Sequence, residues 1–162
     1  MTARVRIQVE DFDLTHELQS LRQSDLRVGA VCSFVGTVRD TKALSGKSQE
    51  EIHALELEHY PGMTERAIEC MIDEALKRFD VYQARVVHRV GRLLPADQIV
   101  LVAVTSAHRG ESFKACEFLM DYLKTQAPFW KKEFTPDGAK WVDARVADDE
   151  ALARWGIHAS NA

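Results

Sequence analysis

The chain has 162 residues, 46% apolar and 28% charged, with a formal net charge of −4. That length suits one domain with a real hydrophobic core, and the acidic balance excludes general nucleic-acid binding by bulk charge while leaving room for a local basic pocket. No apolar run approaches a membrane span, and Met1-Thr2-Ala3-Arg4-Val5-Arg6 lacks the apolar stretch of an export signal, so the expected location is cytoplasmic.

Val5, Ile7 and Val9 alternate with polar residues, which predicts a half-buried strand. Asp13 can cap a short helix carrying Leu14, Leu18 and Leu21. Val28 to Arg39 reads as a long strand in which Gly29 and Gly36 mark a bulge or a close backbone approach. Asp40 to Glu51 is polar and reads as a mobile loop, and Ile52 to Glu58 alternates again as a strand. Thr64 to Phe79 carries an apolar stripe of helical period. Two further strands, Val81 to Val90 and Gln98 to Thr105, flank a connection over Gly91 to Asp97. A helix starts around Arg109 to Glu111 with the stripe Phe113, Cys116, Met120 and Leu123. Trp130 to Thr135 reads as a short strand, and Pro136-Asp137-Gly138 signals a hairpin turn into Lys140-Trp141-Val142. A last helix spans roughly Asp148 to Trp155, with a frayed tail over 157–162. The mixture lacks regular βαβ alternation, so the expected class is α+β with a largely antiparallel sheet, in a single domain over 1–162.

Cys32, Cys70 and Cys116 have no metal-ligand spacing and sit in apolar patterns, so they read as buried reduced thiols. His53, His59 and His88 compel no metal site. Gly46-Lys47-Ser48 lacks the further upstream glycine that a phosphate-binding loop needs, so it is not one. Ser106 to Glu111 joins a strand to a helix start, where free N–H groups and the dipole favour an anion. His108 and Arg109 would add donors there; the plain alternative is a helix cap with a surface arginine. Arg39 ends an apolar strand and could equally be a solvated strand end.

The most informative run is Asp121-Tyr122-Leu123-Lys124-Thr125-Gln126-Ala127-Pro128-Phe129-Trp130-Lys131-Lys132-Glu133. Pro128 stops the helix that carries Lys124, because its ring fixes φ and removes a donor. Lys131 follows two large aromatics. Partial desolvation and a second nearby cation both favour a lysine that exchanges protons near neutral pH. Lys124 could instead serve the helix dipole and pair with Asp121. Glu133 could neutralise the lysines or orient one of them, and Phe129 and Trp130 could be channel walls or core.

That run, with Phe34-Val35-Gly36-Thr37-Val38-Arg39, Leu57-Glu58-His59-Tyr60-Pro61-Gly62-Met63-Thr64, Val87-His88-Arg89-Val90-Gly91 and Thr105-Ser106-Ala107-His108-Arg109, resembles the large, catalytic subunit family of molybdopterin synthase, the MoaE family. The resemblance covers about Val28 to Trp141, and its motifs occur in order. It implies an α/β-hammerhead-type fold and a homodimer of large subunits, each binding a small ubiquitin-like sulfur carrier, in a heterotetramer. The carrier's C-terminal Gly-Gly tail would end in a thiocarboxylate. The implied activity is a sulfurtransferase of molybdenum cofactor biosynthesis. It would convert cyclic pyranopterin monophosphate (precursor Z) into molybdopterin by inserting a dithiolene, with no resident metal or cofactor.

Carried over by position, Lys124 and Lys131 would be catalytic. Arg39, His108 and Arg109 would bind the pterin and its cyclic phosphate, with Thr37, Val38 and the Lys131-Lys132-Glu133 segment contributing through their backbone. The resemblance further implies a site shared across the dimer, His108 and Arg109 facing the other protomer's lysines. Position 37 departs from relatives that carry a basic residue there, so a backbone role is expected of Thr37. The rival readings are a non-catalytic scaffold for a ubiquitin-like protein, and a phosphate-binding regulator built on His108-Arg109.

Overall fold

A computed structural model describes residues 2–43, 49–142 and 146–157. In chain order it contains β1 (Val5–Gln8), α1 (Leu14–Ser24), β2 (Ala30–Thr37), β3 (Thr41–Ala43), β4 (Gln49–Glu51), β5 (Ala54–His59) and α2 (Met63–Arg78). There follow β6 (Gln83–Arg89), β7 (Gly91–Leu93), β8 (Gln98–Ser106), α3 (Arg109–Gln126), β9 (Phe129–Thr135), β10 (Gly138–Val142) and α4 (Val146–Ala153).

The strands form two four-stranded sheets, β1-β6-β8-β2 and β10-β9-β5-β7, and a two-stranded ladder, β3-β4. Only the β1–β6 pairing is parallel among the described strands. The expected α+β class with largely antiparallel sheets is therefore the observed one. No helix among the described residues is long and apolar enough to cross a membrane.

The near-continuous apolar run of β8 has a clear cause. Val100, Val102 and Val104 belong to the main core under α2 and α3, while Leu101 and Ala103 pack with Phe12 and Leu21 on the α1 side. A strand covered on both faces loses the polar half of its alternation. The second sheet turns Leu55 and Leu57 into a third cluster with Val38, Ile52 and Leu93.

Local signals also hold. Asp13 caps α1, its Oδ1 accepting from the His16 N–H at 3.0 Å. A side chain at Gly29 would collide with the Ala107 carbonyl, and the β2–β8 register shifts between Gly36 and Thr37. These are the close approach and the bulge that the two glycines suggest.

Other expectations are corrected. The polar stretch from Asp40 contains the antiparallel β3–β4 ladder where a loop was expected; its Ser45 to Ser48 portion lies outside the described residues, as does the tail from 158. The buried side of α3 runs through Ser112, Ala115, Cys116, Leu119 and Leu123, and Phe113 is exposed. Small residues at 112 and 115 let the helix sit close to the sheet, so the stripe is rotated by about one residue from the one the large side chains suggest. Cys70 is exposed, Cys32 half-buried, and Cys116 alone of the three fully buried. Burial beside Cys32 pushes the Cys116 thiol up, which keeps it protonated and unreactive.

One ionic cluster ties the first sheet to α1. Glu17 is buried and receives both Arg6 from β1 and Arg85 from β6, the latter through Nη1 at 2.9 Å from Oε2. Arg85 is itself buried and also donates to the Glu17 carbonyl at 3.3 Å.

Candidate functional site

A cavity of about 520 Å³ opens between the two sheets and the C-terminal half of α3. Thr37 and Arg39 border it from the end of β2, Lys124 from the last turn of α3, and Lys131 and Glu133 from β9. Its apolar walls include Leu55, Leu57, Met120, Leu123 and Phe129.

Why these side chains converge follows from local geometry. Lys131 and Glu133 are two residues apart on a strand and so share a face. They stand opposite Leu57 and Leu55 in the β5–β9 ladder, which places all four on the cavity side. Lys132 turns to the opposite face, its Nζ lying 5.6 Å from the Phe134 ring centre and 5.4 Å from that of Trp141. The helix stop at Ala127-Pro128 is pinned to the start of α2: Thr64 donates its hydroxyl to the Pro128 carbonyl at 3.0 Å and accepts from the Tyr60 N–H at 3.0 Å. This fixes the swing between Lys124 and Lys131. Phe129 becomes a cavity wall, while Trp130 stacks edge-on against Tyr60 at 4.5 Å between ring centres.

Lys124 is exposed in the single chain and Lys131 half-buried. Pairing of Lys124 with Asp121 is not observed: Asp121 accepts from Trp155 Nε1 at 2.8 Å and lies 3.5 Å from Arg154. Val38 is buried in the third cluster; its N–H donates to Asp97 O at 3.0 Å and its carbonyl accepts from Ala96 N–H at 2.9 Å. His108 and Arg109 are exposed at the opposite end of α3. Fifteen residues separate Arg109 from Lys124 along the helix, a rise of about 23 Å. One chain therefore does not bring them to its own cavity.

Two titratable lining residues escaped the sequence reading of the site. Lys42, from β3, places its Nζ 3.3 and 3.2 Å from the two Glu133 carboxylate oxygens. Its signal was hidden in a stretch read as a loop. His88 lies on β6, stacked on Phe129 at 3.9 Å with planes 19° apart, and its Nδ1 is 2.8 Å from the Arg89 carbonyl. A ring nitrogen facing a carbonyl must donate, so Nδ1 carries the proton of a neutral imidazole.

Burial pushes His88 down to about 4 from an ordinary 6.5; the Arg89 carbonyl opposes that shift and the nearby His59 adds to it. The unfolded imidazole takes up a proton near its ordinary value while the folded one resists. Stability tied to His88 is therefore full above about pH 6.5 and falls as the pH drops towards 4. Going from pH 7 to 4.5 should cost about 2–3 kcal/mol through this residue. Urea unfolding at both pH values checks it: His88→Gln should lose less than wild type by that amount, and equal losses would contradict the assignment.

Comparisons with known proteins bear on the family and the fold. The family model described as MoaE protein matches residues 7–126. The molybdopterin synthase catalytic subunit of Ralstonia nicotianae is 60% identical, the alignment covering 98% of this chain and 87% of the relative. The solved molybdopterin biosynthesis MoaE protein of Burkholderia ambifaria is 56% identical with a TM-score of 0.81, covering 97% of this chain and 100% of that one. A complex of subunits 1 and 2 of molybdopterin-converting factor from Helicobacter pylori shares the fold, at 21% identity and a TM-score of 0.70 over 88% of this chain and 92% of that one. A continuous family match, high identity and a common fold, met on a cavity that gathers the motif lysines, establish that this chain belongs to the MoaE protein family.

Proposed function

We propose that the chain is the single-domain catalytic subunit of a molybdopterin synthase, a sulfurtransferase that moves sulfur from a small carrier's C-terminal thiocarboxylate to cyclic pyranopterin monophosphate. The observation that carries the reading is the meeting of Lys124 and Lys131, from two different elements, with Arg39 around one apolar-walled cavity. The relative from Ralstonia bears the matching name, and the Helicobacter neighbour was solved as a two-subunit complex.

The chemistry follows from charge. Pterin phosphate and thiocarboxylate are both anions, and bringing them together out of water requires compensating cations. A thiocarboxylate is already ionised and nucleophilic near neutral pH. The protein's tasks are then positioning, charge stabilisation and proton transfer at the attacked carbons. Lys124 transfers protons close to the acyl sulfur, and Lys131 holds the developing oxyanion or the tail. A Gly-Gly tail is slim enough to thread a narrow channel to them.

His108 and Arg109 lie far from their own cavity along α3, which suits a homodimer in which they bind the phosphate at the partner's lysines. Thr37 and the Lys131-Lys132-Glu133 backbone complete the pocket. The location that fits this reading is the cytoplasm.

Mixing the chain with thiocarboxylated carrier and cyclic pyranopterin monophosphate tests the reading. The expected outcome is dithiolene-bearing pterin in proportion to carrier consumed. Carrier binding without product would favour a scaffold, and phosphate binding that ignores the carrier would favour a regulator.

A further inference from the structure

The cavity wall contains an acid where an anion is to be bound. Glu133 is only 2% exposed and lines the cavity on the same face of β9 as Lys131. A buried carboxylate without a partner is costly, and a carboxylate beside an anionic ligand repels it. Lys42 answers both problems: its Nζ spans the two carboxylate oxygens, and its side chain is 19% exposed against 3% for Glu133.

The strands around this pair hold Lys42 in place. Lys42 stands opposite Glu50 in the β3–β4 ladder, and Glu50 accepts from Lys140 Nζ at 2.9 Å through each oxygen. Lys140 in turn stands opposite Glu133 in the β9–β10 ladder. Two lysines and two glutamates thus alternate across four strands and fasten the β3–β4 ladder to the cavity's rim. Ile52 N–H, donating to Asp40 O at 2.7 Å, closes the base of the ladder.

Resting on the synthase reading above, we propose that Lys42 is a positioning residue of the site: it neutralises and orients the Glu133 carboxylate so that the cavity accepts an anionic pterin. Arg39, Lys124 and Lys131 line the same cavity, and a Glu133 charge already met by Lys42 repels an anion there less than a bare carboxylate would. Two like charges several ångströms apart at an effective dielectric near 20 give roughly a tenfold or larger loss of affinity.

The test measures the Kd of cyclic pyranopterin monophosphate by calorimetry and, separately, KM and kcat with loaded carrier. Lys42→Met keeps the aliphatic stem and removes the charge. It should weaken Kd and raise KM about tenfold, with kcat changed less than threefold. Adding Glu133→Gln to that variant should bring Kd back to within about threefold of wild type. Lys42→Arg should bind as wild type does. Lys140→Met, which breaks the outer ion pair with Glu50 and removes only a longer-range attraction to Glu133, should shift Kd clearly less than Lys42→Met does, by no more than about threefold. If Lys42→Met does not fold, Glu133→Gln alone decides, because an uncompensated Lys42 should tighten the pterin severalfold. Unchanged binding in Lys42→Met, no recovery in the double variant, or weaker binding in Glu133→Gln would each overturn the proposal. Substrate binding with no sulfur transfer by wild type would instead defeat the synthase reading and leave the role of Lys42 measured.

Discussion

Lys124→Ala should lower sulfur transfer by about 10²–10⁴-fold, the range of a lost general acid–base group, while the small carrier still binds. The expectation rests on position. Lys124 is the basic residue of the last turn of α3, borders the cavity and is exposed in the single chain. Truncating this exposed side chain forfeits at most its interaction with the helix dipole, about 0.3–1 kcal/mol, so the loss belongs to the reaction and not to folding. Lys124→Arg separates the two things an amine can do. Guanidinium keeps the positive charge but gives up no proton in the working pH range. Proton transfer predicts that arginine is nearly as damaging as alanine; pure charge stabilisation predicts that it is mild. Steady-state turnover with saturating carrier, together with carrier affinity for each variant, checks this, and near-normal turnover of Lys124→Ala refutes the assignment.

A loss of about 3–5 kcal/mol is expected for Glu17→Gln, far from the cavity. Arg6 and Arg85 both depend on that carboxylate, and burial lowers the pKa of each guanidinium, most directly for Arg85, whose shift has no other cause. Removing the anion leaves two cations facing each other between β1, β6 and α1. Replacing a buried ion's partner is costly because the remaining charge is neither solvated nor paired. Glu74→Gln is the control: its ion pair with Arg78, at 2.7 Å along α2, is partly exposed and of the helix-surface kind, which contributes about 0.3–0.5 kcal/mol. Denaturant midpoints at pH 7 should separate the two variants widely. A Glu17→Gln loss under about 1 kcal/mol would mean that the cluster relaxes or admits water.

The residues that could be read from sequence are those whose meaning is local. Asp13 precedes a helical stripe, Pro128 ends one, and Pro136-Asp137-Gly138 folds a hairpin; each acts on its own backbone, so each was visible. The lysines at 124 and 131 were visible for the same reason, since the helix stop between them sets their separation. Arg39, at the end of an apolar strand, was also found in the lining. What stayed hidden depends on pairing across long separations. Lys42 and Glu133 are 91 residues apart, and nothing near either one announces the other. The β3–β4 ladder is short, Thr41-Lys42-Ala43 against Gln49-Glu50-Glu51, and mostly polar, so no alternation of apolar residues marks it as strands. Partition of the strands into two sheets is likewise a matter of which edges meet, not of propensity. His88 sits inside an ordinary strand pattern, and only the stacking of Phe129 shows that it faces the cavity. Geometry gathers the cations around one cavity, and the family motifs they belong to carry the chemistry.

Helix α3 keeps His108 and Arg109 about 23 Å from Lys124 in any one polypeptide. On the shared-site reading, injuries at its two ends fall into separate complementation groups. A subunit blemished at residue 109 and a subunit blemished at residue 124 can lend each other their sound halves, and the mixed pair then holds one whole reaction chamber beside one doubly broken one.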